Sequence, residues 1–572
     1  MLYSFNVAKP VADQALPEDT LSTRQDALLW TLVWAVLGAG VFLRLFHYFD
    51  NRSLWVDEIY LMTSVLKMGF LELTTPALDY QQKAPIGFLW LVKASALLFG
   101  IGEKSLRLVP LLAGLASLIV FLPVARFFLK PLGVLVAMGV LAFAPPLVYH
   151  AVEAKQYGME MFTTILSLYL YTVYHKRFDY RSLLMWGFWG ALILWFSYAS
   201  IFVLVGIAGG VSLYFLIKKQ WTPLLRSMIP FSLWAVSFLL NYFLFTHKHA
   251  EQEWLVAWFR VREGFFPIPF YSLAGIKWIF QSLYRTLEYP LGVMWNAEPF
   301  NTIENGPIRV MLKMPLFMFG FWALGLLYFM RRNLKVFFIL LFPLLLTLAA
   351  TLLEFYPYYE RLLVFLAPLP ILLIAKGCER FTSFFAKGAK WRYIFPLIVL
   401  FWPMWSSAKQ LVNPKLFGDY KYSNYREALL YVHEHYQEGD IVYVYWNIEH
   451  AYHYYKKAYG LTYEMVELTD RKHTVSNKEE YMASYAPQFA AAQGKQRVWF
   501  IYERFLMLNI GDYDNDPAWY HAEDVKGGQA PLQKFRSMGR ELESHLYPNA
   551  GVSLFDLQQP PAPASGAAAP AL

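Results

Sequence analysis

Residues 108–125 read LVPLLAGLASLIVFLPVA, a run with no charged side chain. Its length is close to the roughly 20 apolar residues that a helix needs to cross the hydrocarbon of a bilayer. A second run, PLGVLVAMGVLAFAPPLV at residues 131–148, follows after a short connection that contains Arg126 and Lys130. Long apolar runs that alternate with short basic connections predict a chain that crosses a membrane several times.

The composition of the whole chain agrees with this prediction. Of its 572 residues, 57% are hydrophobic and 19% are aromatic. Aromatic side chains suit membrane interfaces, where the ring is buried and the polar tip stays wet. The net charge is +8. We interpret the excess of basic residues as serving membrane orientation and contact with anionic lipid, rather than nucleic-acid binding. The single cysteine, Cys378, excludes an internal disulfide and a thiolate metal site.

Apolar runs without internal charge recur over residues 27–409 and predict about eleven membrane crossings. The run at residues 183–217 is long enough for two short helices that meet near Ser197 and Tyr198. The complete set of runs is residues 27–46, 108–125, 131–148, 159–174, 183–217, 224–245, 310–330, 336–353, 362–375 and 393–404.

Basic residues predict the orientation, because Lys and Arg in short loops stay on the cytoplasmic side. When every second loop along the chain is taken, five in a row are basic. They contain Arg126 and Lys130, Lys176 to Arg181, Lys218 and Lys219, Arg331 to Lys335, and Lys376 to Arg392. The loops 50–105 and 247–308 then lie outside. Within the first of these, the short apolar segment 86–101 is predicted to be an interfacial or re-entrant helix of the outer leaflet, since a crossing there would export every basic cluster.

These patterns predict a polytopic α-helical membrane protein with a C-terminal extracytoplasmic α/β domain. Residues 1–26 are expected to be a cytoplasmic N-terminal segment, and residues 27–409 a transmembrane domain. Residues 410–556 are more polar, and short β-rich runs alternate there with helix-like runs, which indicates a soluble α/β domain. The Pro/Ala-rich residues 557–572 are expected to be disordered.

Two acids, Asp57 and Glu58, directly follow the first predicted crossing. Carboxylates beside a bilayer are costly unless they are used. A pair in which one acid stays ionised, while the other takes a metal or a partner cation, suits a general base. The alternative is that Asp57 caps a helix that begins at Glu58.

Two further groups lie on the same predicted face. Lys83, in the sequence QQKAP, is a fitting counter-ion for a lipid phosphate, or else an ordinary lysine that snorkels to the interface. In the sequence YHAVEAKQY at residues 149–157, a helix through Glu153 and Tyr157 would present both side chains to one side. The alternative for Glu153 is an interfacial ion pair with Lys155.

A fourth group, YPYYER at residues 356–361, ends in Arg361, whose planar fork could hold a phosphate. The alternative is that its tyrosines fix the chain at the interface. Arg107 opens another helix on the same side and offers a weaker version of the phosphate site. All four groups fall on one membrane face under an orientation derived from other residues.

Together these segments resemble the GT-C class of membrane glycosyltransferases, specifically the superfamily of protein O-mannosyltransferases and aminoarabinose (lipid A) transferases. The likeness covers about residues 27 to 410. The matching segments are the acid pair Asp57-Glu58, the Lys83-Ala84-Pro85 motif, the Glu153-Ala154-Lys155-Gln156-Tyr157 segment and the Arg361-Leu362-Leu363 helix start. Ala84 and Lys155 depart from the proline and arginine of the family pattern.

The resemblance implies an inverting glycosyltransferase that moves a monosaccharide from a polyprenyl-phosphate donor to an extracytoplasmic lipid, polysaccharide or protein acceptor. Asp57 would then be the base, and Glu58 and Glu153 would shape the site. Some relatives use a divalent cation, which Asp57 and Glu153 would share here. The protein would be an integral, multi-pass component of the inner or plasma membrane.

The resemblance also implies how the substrate is held. Lys83, Arg361 and Tyr359 would bind the lipid phosphate. Tyr157, Lys155 and Arg107 would contribute to substrate binding. The main alternative function is a flippase or transporter of a polyprenyl-linked sugar, which predicts inverted repeats and charges in mid-helix. A receptor would not need so many crossings, whereas an oligosaccharyltransferase or polymerase differs only in the length of the donor glycan.

Overall fold

A computed structural model describes residues 23–74, 78–245, 253–269, 271–385, 390–504 and 517–561. The predictions for residues 1–22, for part of the outer loop 247–308 and for the tail from residue 562 fall on residues outside these ranges. The chain divides into two units. The helical unit comprises Met1–Asp50, Ser64–Gly100 and Lys104–Gly418, and the C-terminal unit comprises Asn51–Thr63, Ile101–Glu103 and Asp419–Leu572.

Helices account for most of the chain before residue 413. They are α1 Thr23–Asp50, α2 Val56–Lys67, α3 Ile86–Phe99, α4 Glu103–Phe128, α5 Pro131–Phe143, α6 Pro145–His150, α7 Tyr157–Tyr174, α8 Tyr180–Ile193, α9 Ser200–Ile217, α10 Trp221–Leu244, α11 Glu253–Val261, α12 Leu273–Glu288, α13 Glu298–Asn301, α14 Gly306–Leu312, α15 Pro315–Arg332, α16 Leu334–Leu352, α17 Pro368–Thr382 and α18 Ile394–Val412. A 3₁₀ helix, Glu360–Leu366, leads into α17.

The polytopic helical class is confirmed, but the count of about eleven crossings is not. Among the described residues, five helices are long and apolar enough to cross a membrane, namely α1, α4, α9, α10 and α16. Two bent pairs, α14 with α15 and the 3₁₀ helix with α17, raise the number to seven. By length and composition these helices identify an integral membrane protein.

The predicted run at residues 131–148 shows why the count differs. It forms two helices, α5 and α6, because the chain is extended at Ala144 and the prolines at 145 and 146 begin a new helix. With 13 residues, α5 is about 20 Å long, which is short for a bilayer crossing. Nearly all of its side chains are buried against α1, α17 and α18, so α5 is a core helix of this unit.

Three other helical predictions can be compared with the structure. The run at residues 183–217 does form two helices, α8 and α9, with a break that contains Ser197 and Tyr198. The short apolar segment 86–101 forms the helix α3. The run at residues 362–375 covers the end of the 3₁₀ helix and the first part of α17. α17 continues beyond this run through Lys376, whose ammonium lies 2.8 Å from Glu379 in a buried ion pair.

Close packing holds α15 against α17. A Cβ atom added at Gly325 would lie 1.9 Å from the carbonyl oxygen of Leu373, and one at Gly377 would lie 1.8 Å from that of Phe321. Each helix therefore needs a glycine where the other backbone approaches. On the outside of the unit, large apolar side chains such as Trp34 (60% exposed) and Phe243 (64% exposed) face away from the protein, which suits contact with lipid.

The described part of the C-terminal unit contains the strands β1 Ile441–Tyr445, β2 Met465–Leu468, β3 Val498–Glu503, β4 Arg540–Leu546 and β5 Ala550–Asp556. They form a sheet in the order β2-β1-β3-β5-β4. β1 pairs in parallel with β2 and β3, while β5 pairs antiparallel with β3 and β4. This mixed sheet confirms the predicted C-terminal α/β domain, whose exact boundaries remain a prediction. Its α-helices are α19 Tyr425–His435, α20 Trp446–Tyr459, α21 Lys478–Ala483, α22 Ala486–Ala492 and α23 Gln529–Met538.

Candidate functional site

The acid pair lies in the first turn of α2, within the C-terminal unit. The helix begins at Val56, so the alternative that Asp57 caps a helix beginning at Glu58 is wrong. Glu58 does the capping instead, because its Oε2 accepts a hydrogen bond from the backbone nitrogen of Trp55 at 3.2 Å. A glutamate at the third helical position that reaches back in this way is one half of a capping box.

Glu58 is also half of a buried ion pair. Its Oε2 lies 2.8 Å from Nη1 of Arg52, and both side chains are almost completely buried. A buried carboxylate needs such a partner, because an unpaired charge inside a protein is strongly unfavourable. Asp57, by contrast, is only half-buried. Of the two acids, Asp57 is therefore the more exposed, and Glu58 holds the turn.

In the helical unit, Glu153 belongs to a buried polar chain. Its Oε2 lies 2.6 Å from Nδ1 of His150, and Nε2 of the same ring contacts the hydroxyl of Tyr289. Both His150 and Glu153 are completely buried. The imidazole therefore links the carboxylate to the segment after α12.

The predicted helix through Glu153 and Tyr157 does not form. Glu153 lies in a turn, and α7 begins only at Tyr157. A Cβ atom added at Gly158 would lie 2.5 Å from the carbonyl oxygen of His150, so the glycine allows the start of α7 to approach the end of α6. The turn directs the Glu153 carboxylate to His150.

Two contacts join the turn before α7 to the segment before α3. The ammonium of Lys155 donates a hydrogen bond to Oε1 of Gln82. The side-chain nitrogen of Gln156 donates to the carbonyl oxygen of Lys83 at 3.3 Å. Lys155 is 4% exposed, whereas Lys83 is half-buried. The two lysines that the sequence singled out therefore lie on segments that touch.

Arg361 comes to the same region from the 3₁₀ helix. Its guanidinium carbon lies 5.9 Å from the centre of the Tyr157 ring, which is within the range of a cation–π contact. Tyr359, two residues earlier, packs its ring against Trp258 and Phe259 of α11. Burial, together with the nearby charge of Glu360, raises the pKa of the Tyr359 hydroxyl to about 12. That hydroxyl therefore stays protonated at neutral pH and can donate a hydrogen bond to an anion.

The basic connections lie at the other end of α7. The ring of Phe127 contacts that of His175, just after α7, and the ammonium of Lys335 donates to the carbonyl oxygen of His175 at 3.4 Å. The backbone nitrogen of Lys130 donates to Glu379 at 2.8 Å. Since α7 has 18 residues, about 27 Å separates these loops from Tyr157.

The structure thus sorts the candidates into two groups. The segments of Lys83, Glu153, Lys155, Tyr157 and Arg361 are connected within the helical unit, whereas Asp57 and Glu58 belong to the C-terminal unit. Arg107 is 2% exposed on α4, in the helical unit.

Several residues with no predicted role take part in these contacts, among them Arg52, Gln82, His150 and Tyr289. Of these four, only His150 could have been recognised from the sequence, because it lies three residues before Glu153. The partner of Glu153 could have been sought there, because residues three apart meet in a helical turn.

A metal site does not form from the described side chains: no group of three or more His, Cys, Asp or Glu residues lies close enough together to hold an ion. The expected metal ligands were Asp57 and Glu153, and the carboxylate of Glu153 is engaged by His150. A shared divalent cation remains a prediction from the resemblance.

Comparison with known proteins gives one family match. Residues 83–245 match the family described as dolichyl-phosphate-mannose-protein mannosyltransferase. This segment includes Lys83, Arg107, Glu153, Lys155 and Tyr157, and it excludes Asp57 and Arg361. Among curated protein sequences, none matches the chain.

The fold is similar to that of an oligosaccharyltransferase from Archaeoglobus fulgidus. The structure of that protein with zinc and sulfate aligns with a TM-score of 0.51 and 12% identity, over 90% of this chain and 72% of the archaeal one. A second structure, tethered to an acceptor peptide, aligns with a TM-score of 0.50 and 13% identity, over 91% and 73%. ArnT from Cupriavidus metallidurans bound to undecaprenyl phosphate aligns over 93% and 98% with 12% identity, but its TM-score of 0.47 adds nothing to the fold assignment. The family match and the archaeal fold confirm the resemblance noted from the sequence.

Proposed function

We propose that the chain is a GT-C class membrane glycosyltransferase, in keeping with the family match over residues 83–245 and the archaeal fold, and that it transfers a monosaccharide from a polyprenyl-phosphate donor to an extracytoplasmic acceptor. The observation that carries this proposal is the meeting of three cationic segments, those of Lys83, Lys155 and Arg361, at the start of α7. A departing lipid phosphate gains negative charge in the transition state, and fixed cations stabilise that charge.

The position of this cluster supports an extracytoplasmic site in the inner or plasma membrane. It lies at the end of α7 opposite to the basic connections around His175 and Lys335. Basic connections are retained in the cytoplasm. The cluster would then face the other compartment, where lipid-linked sugars are used as donors.

The helix α3 supports a lipid-linked donor rather than a soluble one. It directly follows the Lys83 segment, and its last turns leave Leu97, Leu98 and Phe99 each about two-thirds exposed. An apolar helix face of this kind lies favourably in the acyl boundary of a bilayer. We propose that it guides the prenyl chain, so that the phosphate reaches Lys83 and Arg361, with Tyr359 as a further donor.

The proposed chemistry uses Asp57 as the base. Asp57 accepts the proton of the acceptor hydroxyl while the hydroxyl oxygen attacks the anomeric carbon of the sugar. The bond between that carbon and the phosphate oxygen breaks, the configuration inverts, and the electron pair leaves on the polyprenyl phosphate. Glu58 maintains the turn that bears Asp57, and Glu153 shapes the donor side through His150.

The archaeal relative suggests which ligands to consider. It was solved in a complex with zinc and sulfate, and also tethered to an acceptor peptide. We propose by analogy that this chain also accommodates a tetrahedral anion, supplied here by the lipid phosphate. The acceptor is a lipid, a polysaccharide or a protein, and the test must offer all three.

The test is a transfer assay with purified protein, radiolabelled polyprenyl-phosphate sugars and a cell-envelope extract. We expect the wild type to transfer label and Asp57→Asn to lose transfer while its thermal unfolding is unchanged. Asp524→Asn is the matched control, because Asp524 pairs with Lys478 on the surface of the C-terminal unit. Equal transfer by Asp57→Asn would remove Asp57 from the mechanism. Absence of transfer with every donor would favour the flippase.

A further inference from the structure

We propose that side chains of the C-terminal domain position the catalytic base. Tyr455, Ser423 and Arg426 hold the backbone of residues 51–54 and thereby fix the first turn of α2, which carries Asp57. This inference rests on the proposed function, because it assumes that Asp57 is the base. It gives the C-terminal domain a part in the reaction that is separate from the binding of an acceptor.

Tyr455 makes the central contact. Its hydroxyl accepts a hydrogen bond from the backbone nitrogen of Leu54 at 2.9 Å and shares another with Oγ of Ser53, also at 2.9 Å. The side chain of Tyr455 lies on α20 and is completely buried. A buried hydroxyl with two such bonds fixes the position of the backbone that it contacts.

Ser423 completes the hydrogen bonding of Leu54. Its hydroxyl donates to the carbonyl oxygen of Leu54 at 2.7 Å. The backbone nitrogen and the carbonyl oxygen of Leu54 are therefore both hydrogen-bonded to side chains from beyond residue 419. These side chains take the place of the backbone partners that a residue inside a helix or a strand would have. Because buried backbone groups must be paired, the conformation of this segment depends on those side chains.

Arg426 extends the contact in both directions along the chain. Its backbone nitrogen donates to Oγ of Ser53 at 3.2 Å, and its Nη1 donates to the carbonyl oxygen of Asn51 at 2.8 Å. The same Nη1 lies 2.8 Å from Oε1 of Glu103, which is 1% exposed. The hydroxyl of Tyr459 donates to the other oxygen of Glu103 at 2.7 Å. Arg426 thus joins the start of the acid-bearing segment to residues 101–103.

The connection from Leu54 to Asp57 is short and rigid. Trp55 is held by Glu58 through its backbone nitrogen, and Val56 is the first residue of the helix. Only Trp55 and Val56 stand between Leu54 and Asp57 in the chain. A displacement of Leu54 by about 1 Å would therefore reach Asp57, and an error of that size in a reacting group costs about 100-fold in rate.

The experiment compares Tyr455→Phe with Tyr443→Phe in the full-length protein. Each substitution removes one buried hydroxyl from the same unit, and the hydroxyl of Tyr443 donates only to the carbonyl oxygen of Gln488, at 2.7 Å. For Tyr455→Phe we expect kcat to fall about 10- to 100-fold with an unchanged KM for the polyprenyl-phosphate sugar. Tyr443→Phe should keep the wild-type kcat. Hydrogen exchange of the peptide 51–63 should become faster in the first variant only.

A second pair keeps the inference testable should Tyr455→Phe fail to fold. Ser423→Ala removes the bond to Leu54, and Ser537→Ala removes an exposed bond to the carbonyl oxygen of Lys534. We expect only Ser423→Ala to lower kcat. Wild-type kcat in Tyr455→Phe or Ser423→Ala, or a loss of activity that appears only in KM, would overturn the positioning role while Asp57→Asn remains inactive. An active Asp57→Asn would overturn the proposed function itself.

Discussion

The hydroxyl of Tyr455 lies 2.9 Å from the backbone nitrogen of Leu54, although 401 positions separate the two residues in the chain. The segment that bears the proposed base thus depends for its backbone hydrogen bonds on α20, a helix of the C-terminal unit. Function and folding of this segment are therefore coupled. The first prediction separates the two by comparing the adjacent acids.

Glu58→Gln should destabilise the protein, whereas Asp57→Asn should not. Glu58 forms a buried ion pair with Arg52 and caps α2 through the nitrogen of Trp55. Loss of one member of a buried pair costs about 3–5 kcal/mol, since the other charge stays inside the protein. We expect a lower unfolding temperature, measured by tryptophan fluorescence in detergent. Glu523→Gln, at an exposed pair with Lys526, is the control and should change little. A Glu58→Gln variant as stable as the wild type would contradict this account.

Arg361→Ala should weaken the stabilisation of the lipid phosphate. A hydrogen bond to a charged group contributes about 1.5–3 kcal/mol, which corresponds to roughly a 10- to 150-fold fall in kcat/KM for the donor. Arg361→Lys should recover only part of this loss, because an ammonium is a point charge and lacks the planar fork of a guanidinium. The measurement is the initial rate of transfer against donor concentration. Arg309→Ala, an exposed arginine on α14, is the matched control; an equal loss in that variant would argue against a specific role of Arg361.

Acid should destabilise the C-terminal unit through His450. Burial, with a smaller effect of the His453 charge, lowers the pKa of this imidazole to about 3. The ring is therefore neutral in the fold, and the unfolded chain binds the extra proton below about pH 6.5. The contribution of neutral His450 to the free energy of unfolding is fully present above pH 6.5 and is lost as the pH falls towards 3. At pH 5 the loss amounts to about 2 kcal/mol.

His450→Gln tests this prediction, because a glutamine does not titrate. We expect the unfolding temperature of the variant to fall less between pH 7 and pH 5 than that of the wild type. His545→Gln, which changes an exposed histidine of β4, should keep the wild-type slope. Identical slopes in all three proteins would show that His450 is not buried in its neutral form.

The proposed orientation can be tested with single introduced cysteines, since the buried native thiol should not react with the reagent. Cys378 is completely buried on α17. A cysteine at the exposed Thr302 should react with a membrane-impermeant maleimide on intact cells, and a cysteine at the exposed Lys218 should react only after lysis. The physical reason is that basic connections such as Lys218-Lys219 stay in the cytoplasm. The reverse pattern would invert the protein and place the proposed site in the wrong compartment.

Much of the architecture could be predicted from local sequence. The lengths of apolar runs predicted the helical membrane class, and the alternation of short runs predicted the C-terminal α/β domain. The break between α8 and α9 was also found, because the run was too long for one crossing. Run length alone failed at residues 131–148, since it ignores the helix start at Pro145 and the burial of α5 against other helices.

The site was accessible to sequence reasoning only in part. Motif order identified Asp57, Lys83, Glu153 and Arg361 as candidates, and their roles are still to be tested. The predicted helix through Glu153 is wrong. Glu153 lies in a turn, because the start of α7 packs closely on His150 at Gly158. Motif order also left the partners of these residues unknown, since a partner far away in the chain leaves no mark on local spacing.

The sequence by itself determined that the chain enters a membrane and that its acids and cations lie near helix ends, because hydrophobic length and charge act over a few neighbouring residues. Only the tertiary structure decided that Glu58 is paired with Arg52, that Lys155 reaches Gln82, and that Leu54 is bonded to Tyr455. These pairings depend on distances of about 3 Å between side chains that folding brings together. Such distances follow from the packing of the whole unit, which no local pattern encodes.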